Sequence, residues 1–433
     1  MSVSTEKLHK LFLASNGVCT DTRKLKPGQL FFALSGENFN GNKFAKTALE
    51  IGANQAIIDD AEYTDGDQMI LVESTLGTLQ RLAHFHRKYL ALPILALTGS
   101  NGKTTTKELF NAVLSRKFKT VATQGNLNNH IGVPLTLLRM NEETDLGIVE
   151  MGANHLKEIE ALTAIAEPDF GYITNYGKAH LEGFGGVEGI IKGKSELYAS
   201  LRERGKTAIV NGDDAKQLEM ANGIEQFVFG SHSSANVQVK YGDTAPFVSV
   251  EVAGHEIKSK LIGQYNAVNI AAAAAVGLYF KVPVGQIQQA IADYVPQNNR
   301  SQLITLGSAT IILDAYNANP TSMEAALNNL EVTPATRKIA VLGDMFELGL
   351  DAEIEHQSIV DLATAKGLDK VFLLGENFIK TNVCSETIEK YSDFDAFAEA
   401  YPKEKLEALL EGSTVLIKGS RGMALERILK ILD

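Results

Sequence analysis

The chain has 433 residues, of which 45% are hydrophobic, so it is long enough to bury several cores in about three domains. Its formal net charge of −11 disfavours a general nucleic-acid partner, because phosphate binding needs surfaces rich in Lys and Arg. Two distant cysteines, an N-terminus without a signal peptide's apolar core, and apolar runs too short to span a bilayer predict a cytoplasmic protein without stable membrane insertion.

Residues 1–88 have the pattern of a small α/β module. Short apolar runs, each bounded by turn residues and separated by helical stretches, predict strands at residues 30–34, 56–58 and 69–72. A separate N-terminal domain that ends at residue 88 is therefore predicted.

Residues 89–297 alternate between strand patterns and helical patterns. The predicted strands lie at residues 93–97, 147–150, 171–174 and 207–210. Such alternation predicts a parallel, doubly wound sheet. An antiparallel appendage is predicted at residues 237–240 and 247–252, followed by helices at residues 267–280 and 284–294.

A break near residues 296–299 precedes a third domain, residues 298–433. Its predicted strands lie at residues 310–313, 339–342, 370–374 and 414–417, and they indicate a Rossmann-like domain. The predicted fold class is therefore α/β, with a small N-terminal α/β module, a central parallel-sheet P-loop ATPase domain and a C-terminal Rossmann-like domain.

The sequence TGSNGKTTTKE, residues 98–108, is the most informative segment. It follows an apolar strand and opens a helical pattern, which is the context of a phosphate-binding loop. Its glycines allow backbone N–H groups to wrap a polyphosphate, Lys103 can neutralise terminal phosphate oxygens, and Thr104 can hold Mg²⁺. Leu97 stands where the standard P-loop pattern has its first glycine, so this loop is shorter than in GTPases or transport ATPases.

The predicted ligand of this segment is a nucleoside triphosphate. The residues expected to bind it are Thr98, Gly99, Ser100, Asn101, Gly102, Lys103, Thr104 and Thr105. The alternative is a glycine-rich turn that caps an ordinary helix.

Polar residues beyond other predicted strands are candidate metal ligands. Glu150 could join Thr104 around Mg²⁺, a cation that favours carboxylate, hydroxyl and phosphate oxygens. His180 could serve a second ion, although a lone His after a strand is usually structural or exposed. Lys194 would ordinarily be a solvated helix lysine; if the site deprotonates it, its amine can take up CO₂ as an anionic carbamate ligand.

Eight blocks of sequence, spread over nearly the whole chain, match the sequence motifs of one known protein family. They are DTR (21–23) with GQLFFALSGENFNG (28–41), TGSNGKTTTKE (98–108), TQGNLNNHIGVPLTLL (123–138), VEMGANHLKEI (149–159), ITNYGKAHLEGFGGVEGIIKGKSELY (173–198), LDAYNANPTSM (313–323), LGDMFELG (342–349) and KGSRGM (418–423). In these blocks the chain resembles the Mur ligases of peptidoglycan synthesis. The Asn-rich block and DAYNANP favour, within that family, ATP-dependent ligation of D-alanyl-D-alanine to UDP-N-acetylmuramoyl-tripeptide.

The resemblance implies two Mg²⁺ ions beside ATP. Lys103 would contact the β- and γ-phosphates, while Thr104 and Glu150 would hold the first ion. His180 and a carbamylated Lys194 would hold the second, so His180 is expected to be a ligand and not a general base.

The resemblance also implies residues that hold the nucleotide from its other side. Asn266 and Asn269 match the adenine-side asparagines, Arg300 a phosphate-reaching arginine that joins the catalytic group, and Asp314 a ribose-binding acid. Spacing alone would leave Arg300 and Asp314 an ordinary surface pair. Tyr265 departs from the family pattern, which often has His before the asparagine.

The substrate contacts implied by the resemblance fall in all three predicted domains. The uridine nucleotide would be held by Asp21, Thr22, Arg23, Ser35 and Gly36. The muramoyl-peptide path would be lined by Asn126, Asn128 and Asn129. Asn317 would contact substrate in the third domain, where Lys418 or Arg421 would pair with the carboxylate of the dipeptide.

Two alternatives remain, the first of the same class of protein and the second of a different class. One is a related amide ligase, such as a folylpolyglutamate synthetase or the ligase that adds the preceding amino acid. The other is a nucleotide-binding scaffold that hydrolyses ATP without ligation. The sequence leaves open whether the tripeptide ends in diaminopimelate or lysine, and a monomer whose third domain rotates about residues 297–300 is expected.

Overall fold

The N-terminal part of the chain folds around a four-stranded parallel sheet. The computed structural model describes residues 3–243, 246–297 and 299–432. The strands of this part are β1 (Val18–Cys19), β2 (Leu30–Phe32), β3 (Ser35–Gly36), β4 (Phe39–Asn40), β5 (Gln55–Ile58) and β6 (Met69–Leu71), and its helices are α1 (Thr5–Leu13), α2 (Ala45–Ile51) and α3 (Thr75–Leu90). The sheet order is β1-β2-β5-β6, with β3 and β4 forming a separate antiparallel hairpin.

A nine-stranded sheet forms the centre of the molecule. Its strands are β7 (Ile94–Thr98), β8 (Thr120–Ala122), β9 (Leu146–Glu150), β10 (Phe170–Ile173), β11 (Thr207–Asn211), β12 (Glu225–Gly230), β13 (Val237–Tyr241), β14 (Ser249–Val252) and β15 (His255–Lys258). The helices are α4 (Lys103–Leu114), α5 (Gly132–Leu137), α6 (Glu158–Ala166), α7 (Leu181–Phe184), α8 (Val187–Arg204), α9 (Ala215–Met220), α10 (Tyr265–Tyr279) and α11 (Val284–Asp293). The strand order is β15-β14-β13-β12-β11-β10-β7-β9-β8, parallel from β8 to β13 and antiparallel beyond.

The third part is a six-stranded sheet with helices. Its strands are β16 (Gln302–Leu306), β17 (Ala309–Asp314), β18 (Arg337–Gly343), β19 (Lys370–Leu374), β20 (Ile388–Tyr391) and β21 (Ser413–Lys418). Its helices are α12 (Pro320–Val332), α13 (Ala352–Ala365), α14 (Glu376–Ile379), α15 (Phe394–Ala400), α16 (Lys403–Leu410) and α17 (Ile428–Leu432). The order is β16-β17-β21-β18-β19-β20, and only the β16–β17 pair is antiparallel among these described strands.

This architecture confirms the predicted fold class. Every predicted strand is present within a few residues of its predicted position, because each has apolar residues, in a run or alternating with polar ones, that the sheet buries. The sequence did not reveal β1, β3, β4, β8, β12, β15, β16 and β20, which are very short, lie at or towards the edges of their sheets or are partly exposed. Edge strands bury less side chain, so their apolar signal is weaker.

Helix α3 joins the first two parts of the molecule. It packs against α1 on one side and against α5 and α6 on the other, and Leu79, Leu82 and Ala83 are fully buried. Residue 88, where the first domain is predicted to end, lies within this helix. The boundaries after residues 88 and 297 stay predictions, and Asn298, in the predicted rotation point, lies outside the described residues.

The strand order around β7 determines where a ligand can bind. β7 lies between β9 and β10 in the sheet. The connection after β7 leads to β8 on one side, and the connection after β9 leads to β10 on the other side, so the direction of the strand order reverses here. In open α/β sheets ligands bind beyond the carboxyl ends of strands at such a reversal. This edge also faces the third sheet's domain, so any site here is built by two parts of the chain.

Candidate active site

The phosphate loop is a tight turn between β7 and α4. Gly99 has φ of +136°, and a Cβ on it would lie 2.0 Å from the Thr174 hydroxyl oxygen, so only glycine fits. Asn175, beyond the end of β10, fixes the turn: its carbonyl accepts a hydrogen bond from Ser100 N at 3.0 Å, and its side-chain oxygen accepts one from Asn101 N at 3.1 Å. The turn is therefore held rigidly at the amino end of α4.

Buried polar atoms without partners are concentrated at this loop. Within the described part of the chain, Thr98 Oγ1, Ser100 Oγ, Asn101 Nδ2 and Glu150 Oε2 are enclosed and lack a hydrogen bond. Leaving such groups unpaired is costly, so their grouping indicates a polar ligand that completes them. Phosphate oxygens would accept hydrogen bonds from the hydroxyl and amide groups, and the cation that accompanies a polyphosphate would bind the carboxylate oxygen.

Lys103, the first residue of α4, folds back over the loop. Its Nζ donates to the carbonyl oxygens of Gly99 at 2.8 Å and Ser100 at 3.1 Å. Burial lowers its pKa to about 8, an effect that nearby Glu150 opposes and that Arg300 reinforces. A bound phosphate would supply a negatively charged partner for this ammonium group, which now contacts two carbonyl oxygens.

Glu150 and Thr104 form one half of a cation site. Thr104 Oγ1 donates to Glu150 Oε1 at 3.2 Å, and Asn128 Nδ2 donates to the same oxygen at 2.8 Å. Glu150 is only 1% exposed, and its other carboxylate oxygen is the unpaired one. A hydroxyl and a carboxylate at this distance are the hard oxygen donors that Mg²⁺ takes together with phosphate oxygens.

His180 lies at the start of α7 and reaches the same cavity. Its backbone is left-handed, with φ of 56°. Its Nδ1 forms a hydrogen bond with the carboxylate of Glu347, a residue of the third domain. This hydrogen bond is the largest cause of a lowered pKa for Glu347. Partial burial opposes the shift, and the imidazole charges of His180 and His155 add to it.

Lys194 is fully buried in α8. Its Nζ donates to the carbonyl of Ala153 at 2.9 Å and lies 4.8 Å from the centre of the Phe184 ring, and no carboxylate of the described residues lies within 4 Å. Burial lowers its pKa well below the ordinary value, the charge of Lys103 lowers it further, and more distant carboxylates oppose both effects. The interpretation of Lys194 as an ordinary solvated helix lysine is therefore wrong.

The two asparagines that the resemblance places on the adenine side lie where α10 meets α4. Asn266 Nδ2 donates to the Ile262 carbonyl at 2.7 Å, and Asn269 Nδ2 donates to Asn266 Oδ1 at 2.9 Å. Tyr265, the departure from the family pattern, hydrogen-bonds through its hydroxyl to Ser301 Oγ at 2.7 Å. Tyr265 therefore links the central and third domains beside the cavity.

The third domain presents a buried ion pair to the cavity. Asp314 Oδ2 accepts from Lys418 Nζ at 2.6 Å, and Asp314 Oδ1 accepts from Ser301 N at 3.0 Å. Lys418 is only 2% exposed, so it does not offer the free ammonium group expected for a dipeptide carboxylate. Arg300 stacks over the Tyr316 ring at 3.6 Å and is not paired with Asp314, which corrects the surface-pair alternative.

Side chains from the third domain also touch the phosphate loop directly. Asn319 caps α12 by accepting from Ser322 N at 2.9 Å, and its Nδ2 donates to Asn101 Oδ1 at 2.8 Å. Nearby, Lys178 Nζ pairs with Glu355 at 2.5 Å. The two domains are therefore in contact across the site.

A cavity of about 730 Å³ brings most of the predicted residues together. The predicted residues that line it are Ser100, Asn101, Gly102, Lys103, Thr104, Thr105, Asn126, Asn128, Asn129, Glu150, His180, Asn266, Asn269, Arg300, Asp314, Asn317 and Lys418. Those outside its lining are Thr98, Gly99, Lys194, Arg421 and the N-terminal set of Asp21, Thr22, Arg23, Ser35 and Gly36. Arg421 is 60% exposed and pairs with Glu426 at 2.7 Å.

The N-terminal set lies at the carboxyl ends of the first sheet's strands. Arg23 is 87% exposed and forms a bidentate pair with Asp21, at 2.9 and 2.8 Å. Ser35, on the β3–β4 hairpin, accepts a hydrogen bond from Asn42 at 3.3 Å. These residues form a surface separate from the central cavity.

Within the described ranges, no group of three or more His, Cys, Asp and Glu side chains forms a metal centre on its own. No helix in the same ranges is both long and apolar enough to cross a membrane. A cation at Glu150 would thus need oxygen atoms from a ligand.

Comparison with known proteins assigns all three parts of the chain. Residues 15–87 match the Mur ligase family catalytic domain, residues 97–277 the Mur ligase middle domain, and residues 299–421 the Mur ligase glutamate ligase domain. The chain belongs to the Mur ligase family. The phosphate loop and Glu150 thus lie in a Mur ligase middle domain, and Arg300 and Asp314 lie in a Mur ligase third domain.

Individual Mur ligases match over nearly their whole length. The UDP-N-acetylmuramoyl-tripeptide–D-alanyl-D-alanine ligase of Bacillus subtilis (strain 168) is 34% identical over 426 residues, 96% of this chain and 93% of that protein. The crystal structure of MurF from Acinetobacter baumannii has a TM-score of 0.86 and 29% identity, covering 98% and 97% of the two chains. MurF ligase from Thermotoga maritima, solved with ADP, has a TM-score of 0.83 and 27% identity, covering 97% of each.

Sequence reasoning missed several residues of this Mur ligase site. Asn175 and Asn319 fix the phosphate loop, Tyr316 supports Arg300, and Glu347 contacts His180. Asn175 follows the end of β10, and that position beyond a strand is the one local signal that could have indicated it. The other three lie in the DAYNANP and LGDMFELG blocks, whose contacts with the central domain depend on how the domains dock.

Proposed function

We propose that this Mur ligase joins D-alanyl-D-alanine to UDP-N-acetylmuramoyl-tripeptide with ATP in peptidoglycan precursor synthesis. The observation that carries the proposal is one cavity in which the phosphate loop and Glu150 face Arg300 and Asp314 of the third domain. Relatives that bear this activity in their names match nearly the full chain. A cytoplasmic location and a monomeric state belong to the same proposal, and the two widely separated free cysteines support the location.

The ligation proceeds through an acyl phosphate. The terminal carboxylate of the tripeptide attacks the γ-phosphorus of ATP, forming the acyl phosphate and releasing ADP. The amine of the dipeptide then attacks the acyl carbon, and the tetrahedral intermediate collapses to the amide and inorganic phosphate. No protein nucleophile is needed, so the residues act by positioning and by balancing charge.

Lys103 and Arg300 are the cations for the transferred phosphate. Lys103 Nζ rests on two loop carbonyls, which phosphate oxygens would replace as partners. Arg300, held flat against Tyr316, lines the same cavity from the third domain. Their charges act in an enclosed space, where electrostatic stabilisation is stronger than in water.

The chain offers ligands for two Mg²⁺ ions. Bound ions would offset phosphate charge and polarise the γ-phosphoryl group. The first would be held by Thr104 and Glu150, whose unpaired, buried Oε2 supports this assignment. The second would be held by His180 and by Lys194 as its carbamate, which the burial of Lys194 without a carboxylate partner supports.

Substrate recognition divides among the domains. The uridine nucleotide is assigned to the surface formed by Asp21, Thr22, Arg23, Ser35 and Gly36, and the muramoyl peptide to the cavity wall formed by Asn126, Asn128 and Asn129. For the dipeptide carboxylate, Arg421 is favoured over Lys418, because Lys418 is already paired with Asp314. Asn317, on the cavity wall, is the further third-domain contact.

A ligation assay read by mass spectrometry tests the proposal. Purified protein is incubated with ATP, D-alanyl-D-alanine and the UDP-muramoyl tripeptide ending in either lysine or diaminopimelate. We expect stoichiometric amide product and ADP with one or both tripeptides, and loss of product in Lys103→Ala but not in Lys192→Ala, an exposed helix lysine. ATP hydrolysis without amide product from either tripeptide would favour the scaffold alternative.

A further inference from the structure

A carboxylate of the third domain contacts the imidazole expected to bind a metal in the central domain. His180 Nδ1 and Glu347 share a hydrogen bond, and the Glu347 carbonyl also accepts from Glu182 N at 3.2 Å. Glu347 therefore contacts the start of α7 through both its side chain and its main chain. Within the described residues, His180 Nε2 has no hydrogen-bond partner, and the residue lines the cavity.

Both residues have an unusual backbone conformation at the contact. His180 has φ of 56° and Glu347 has φ of 62°, values that residues other than glycine rarely adopt. Such conformations persist where the surrounding structure fixes them, and they concentrate at functional sites. Two such backbone conformations face each other across a domain boundary, which indicates that the geometry of this contact serves a function.

The loop that carries Glu347 is fixed from several sides. Buried Asp344 accepts hydrogen bonds from the backbone of Asn377 and Phe378, at 2.9 and 3.0 Å. Ser420 Oγ accepts one from Phe346 N at 2.9 Å, next to Glu347. The carboxylate is thus presented by a rigid element, as a residue that orients another must be.

We propose that Glu347 is a positioning residue that fixes His180 as the Nδ1–H tautomer and directs its Nε2 towards the second metal position, an inference that rests on the proposed function. A carboxylate behind an imidazole ligand fixes the tautomer and raises the basicity of the other nitrogen. Mg²⁺ prefers oxygen ligands, so an imidazole ligand for this ion gains from that added basicity.

The contact also couples the metal position to domain docking. Glu347 belongs to the third domain and His180 to the central one, so the oriented imidazole exists only when the two are docked. Because coupling between sites is reciprocal, occupation of the second metal position favours the docked arrangement by the same factor. An undocked enzyme therefore binds the second ion more weakly, which limits phosphate transfer to the docked state.

The test compares Glu347→Gln with Glu182→Gln, which removes the same charge from an exposed residue two positions from His180. The first readout is the tautomer of His180 in metal-free protein labelled with ¹⁵N-histidine, with the signal assigned by loss in His180→Gln. We expect the Nδ1–H form in the original protein and in Glu182→Gln. In Glu347→Gln a mixed or inverted tautomer is expected, because an amide can also donate to Nδ1.

The second readout is the dependence of ligation rate on Mg²⁺ concentration. In Glu347→Gln the half-saturating Mg²⁺ concentration should rise about 10-fold or more, while kcat at saturating Mg²⁺ changes far less. An Nε2–H tautomer in the original protein, an unchanged Mg²⁺ curve, or an equal shift in Glu182→Gln would overturn the proposal. If the original protein makes no amide product, the proposed function fails, and the tautomer readout still decides the positioning role.

Discussion

Replacing Asp314 with alanine should destabilise the third domain as well as weaken ATP use. The carboxylate is the partner of Lys418, whose side chain is 2% exposed in β21, while Asp314 ends β17 next to it. Asp314→Ala would leave that ammonium group buried with one remaining acceptor, the Asn317 carbonyl at 3.2 Å. The substitution therefore changes both the fold and the proposed ribose contact.

The size of the effect follows from the geometry of the pair. At the observed 2.6 Å the gross attraction is about 6 kcal/mol for an effective dielectric constant of about 20. Removing one partner of a buried pair costs about 3–5 kcal/mol. We expect about 3 kcal/mol, because Asp314 is 18% exposed and the Asn317 carbonyl still accepts from Lys418.

A double variant separates the two consequences. In Asp314→Ala/Lys418→Met no buried charge is left unpaired, so stability should largely return, since apolar replacement of a buried pair is often neutral. The KM for ATP should remain raised by about 10-fold or more in both variants, the loss expected for a hydrogen bond to a charged group.

Hydrogen exchange, read by mass spectrometry on peptides from β17 and β21, measures the loss of stability around the ion pair. Far-UV circular dichroism measures the thermal unfolding of the whole protein. A loss of about 3 kcal/mol corresponds to roughly 100-fold faster exchange where opening of the domain limits exchange. Unchanged exchange in Asp314→Ala would refute the assigned role of the pair. An unchanged KM for ATP in both variants would show that Asp314 does not contact ribose.

Three further predictions concern other residues. Lys194→Ala should lose activity and regain part of it with acetate, which can replace the carbamate oxygens; full activity, or rescue by an added amine, would show that no carbamate acts there. Arg23→Ala should raise KM for the UDP-substrate far more than KM for the dipeptide while sparing ATP binding, and equal effects in steady-state kinetics would indicate a folding defect. Burial lowers the pKa of His9 and His86, which hydrogen-bond each other at 3.0 Å, and the charge of His86 lowers that of His9 further. Both therefore bind protons less readily in the folded than in the unfolded state. Stability in urea denaturation should be full above about pH 6.5, the unfolded pKa, and should fall below it by up to about 1.4 kcal/mol per pH unit for each His; His9→Gln/His86→Gln should reduce this slope.

Sequence patterns could predict the fold class because buried parallel strands leave a local signal. The run before the phosphate loop became β7, and the runs at residues 339–342 and 370–374 became β18 and β19, all enclosed by helices. The edge strands β8 and β16 left no such signal, since part of their surface remains exposed. The strand order also could not be read from the sequence, because pairing joins residues that are far apart along the chain.

The phosphate loop shows how much of the site is local. Its glycines, Lys103 and Thr104 are adjacent in sequence, and their conformation depends on a turn of a few residues, so spacing alone predicted a cradle. Glu150 was predictable as a polar residue at a strand end. Its free oxygen and its bond to Asn128 required the structure.

The amino-acid sequence by itself determined the α/β class, the phosphate loop and the resemblance to Mur ligases, since each depends on residue types at short, fixed spacings. Only the tertiary structure decided that Lys418 is paired with Asp314 and that Glu347 contacts His180. The partners in these two contacts are separated along the chain by 104 and 167 positions, respectively. Their charges and hydrogen bonds depend on how sheets and domains pack, so no local pattern of residues encodes them.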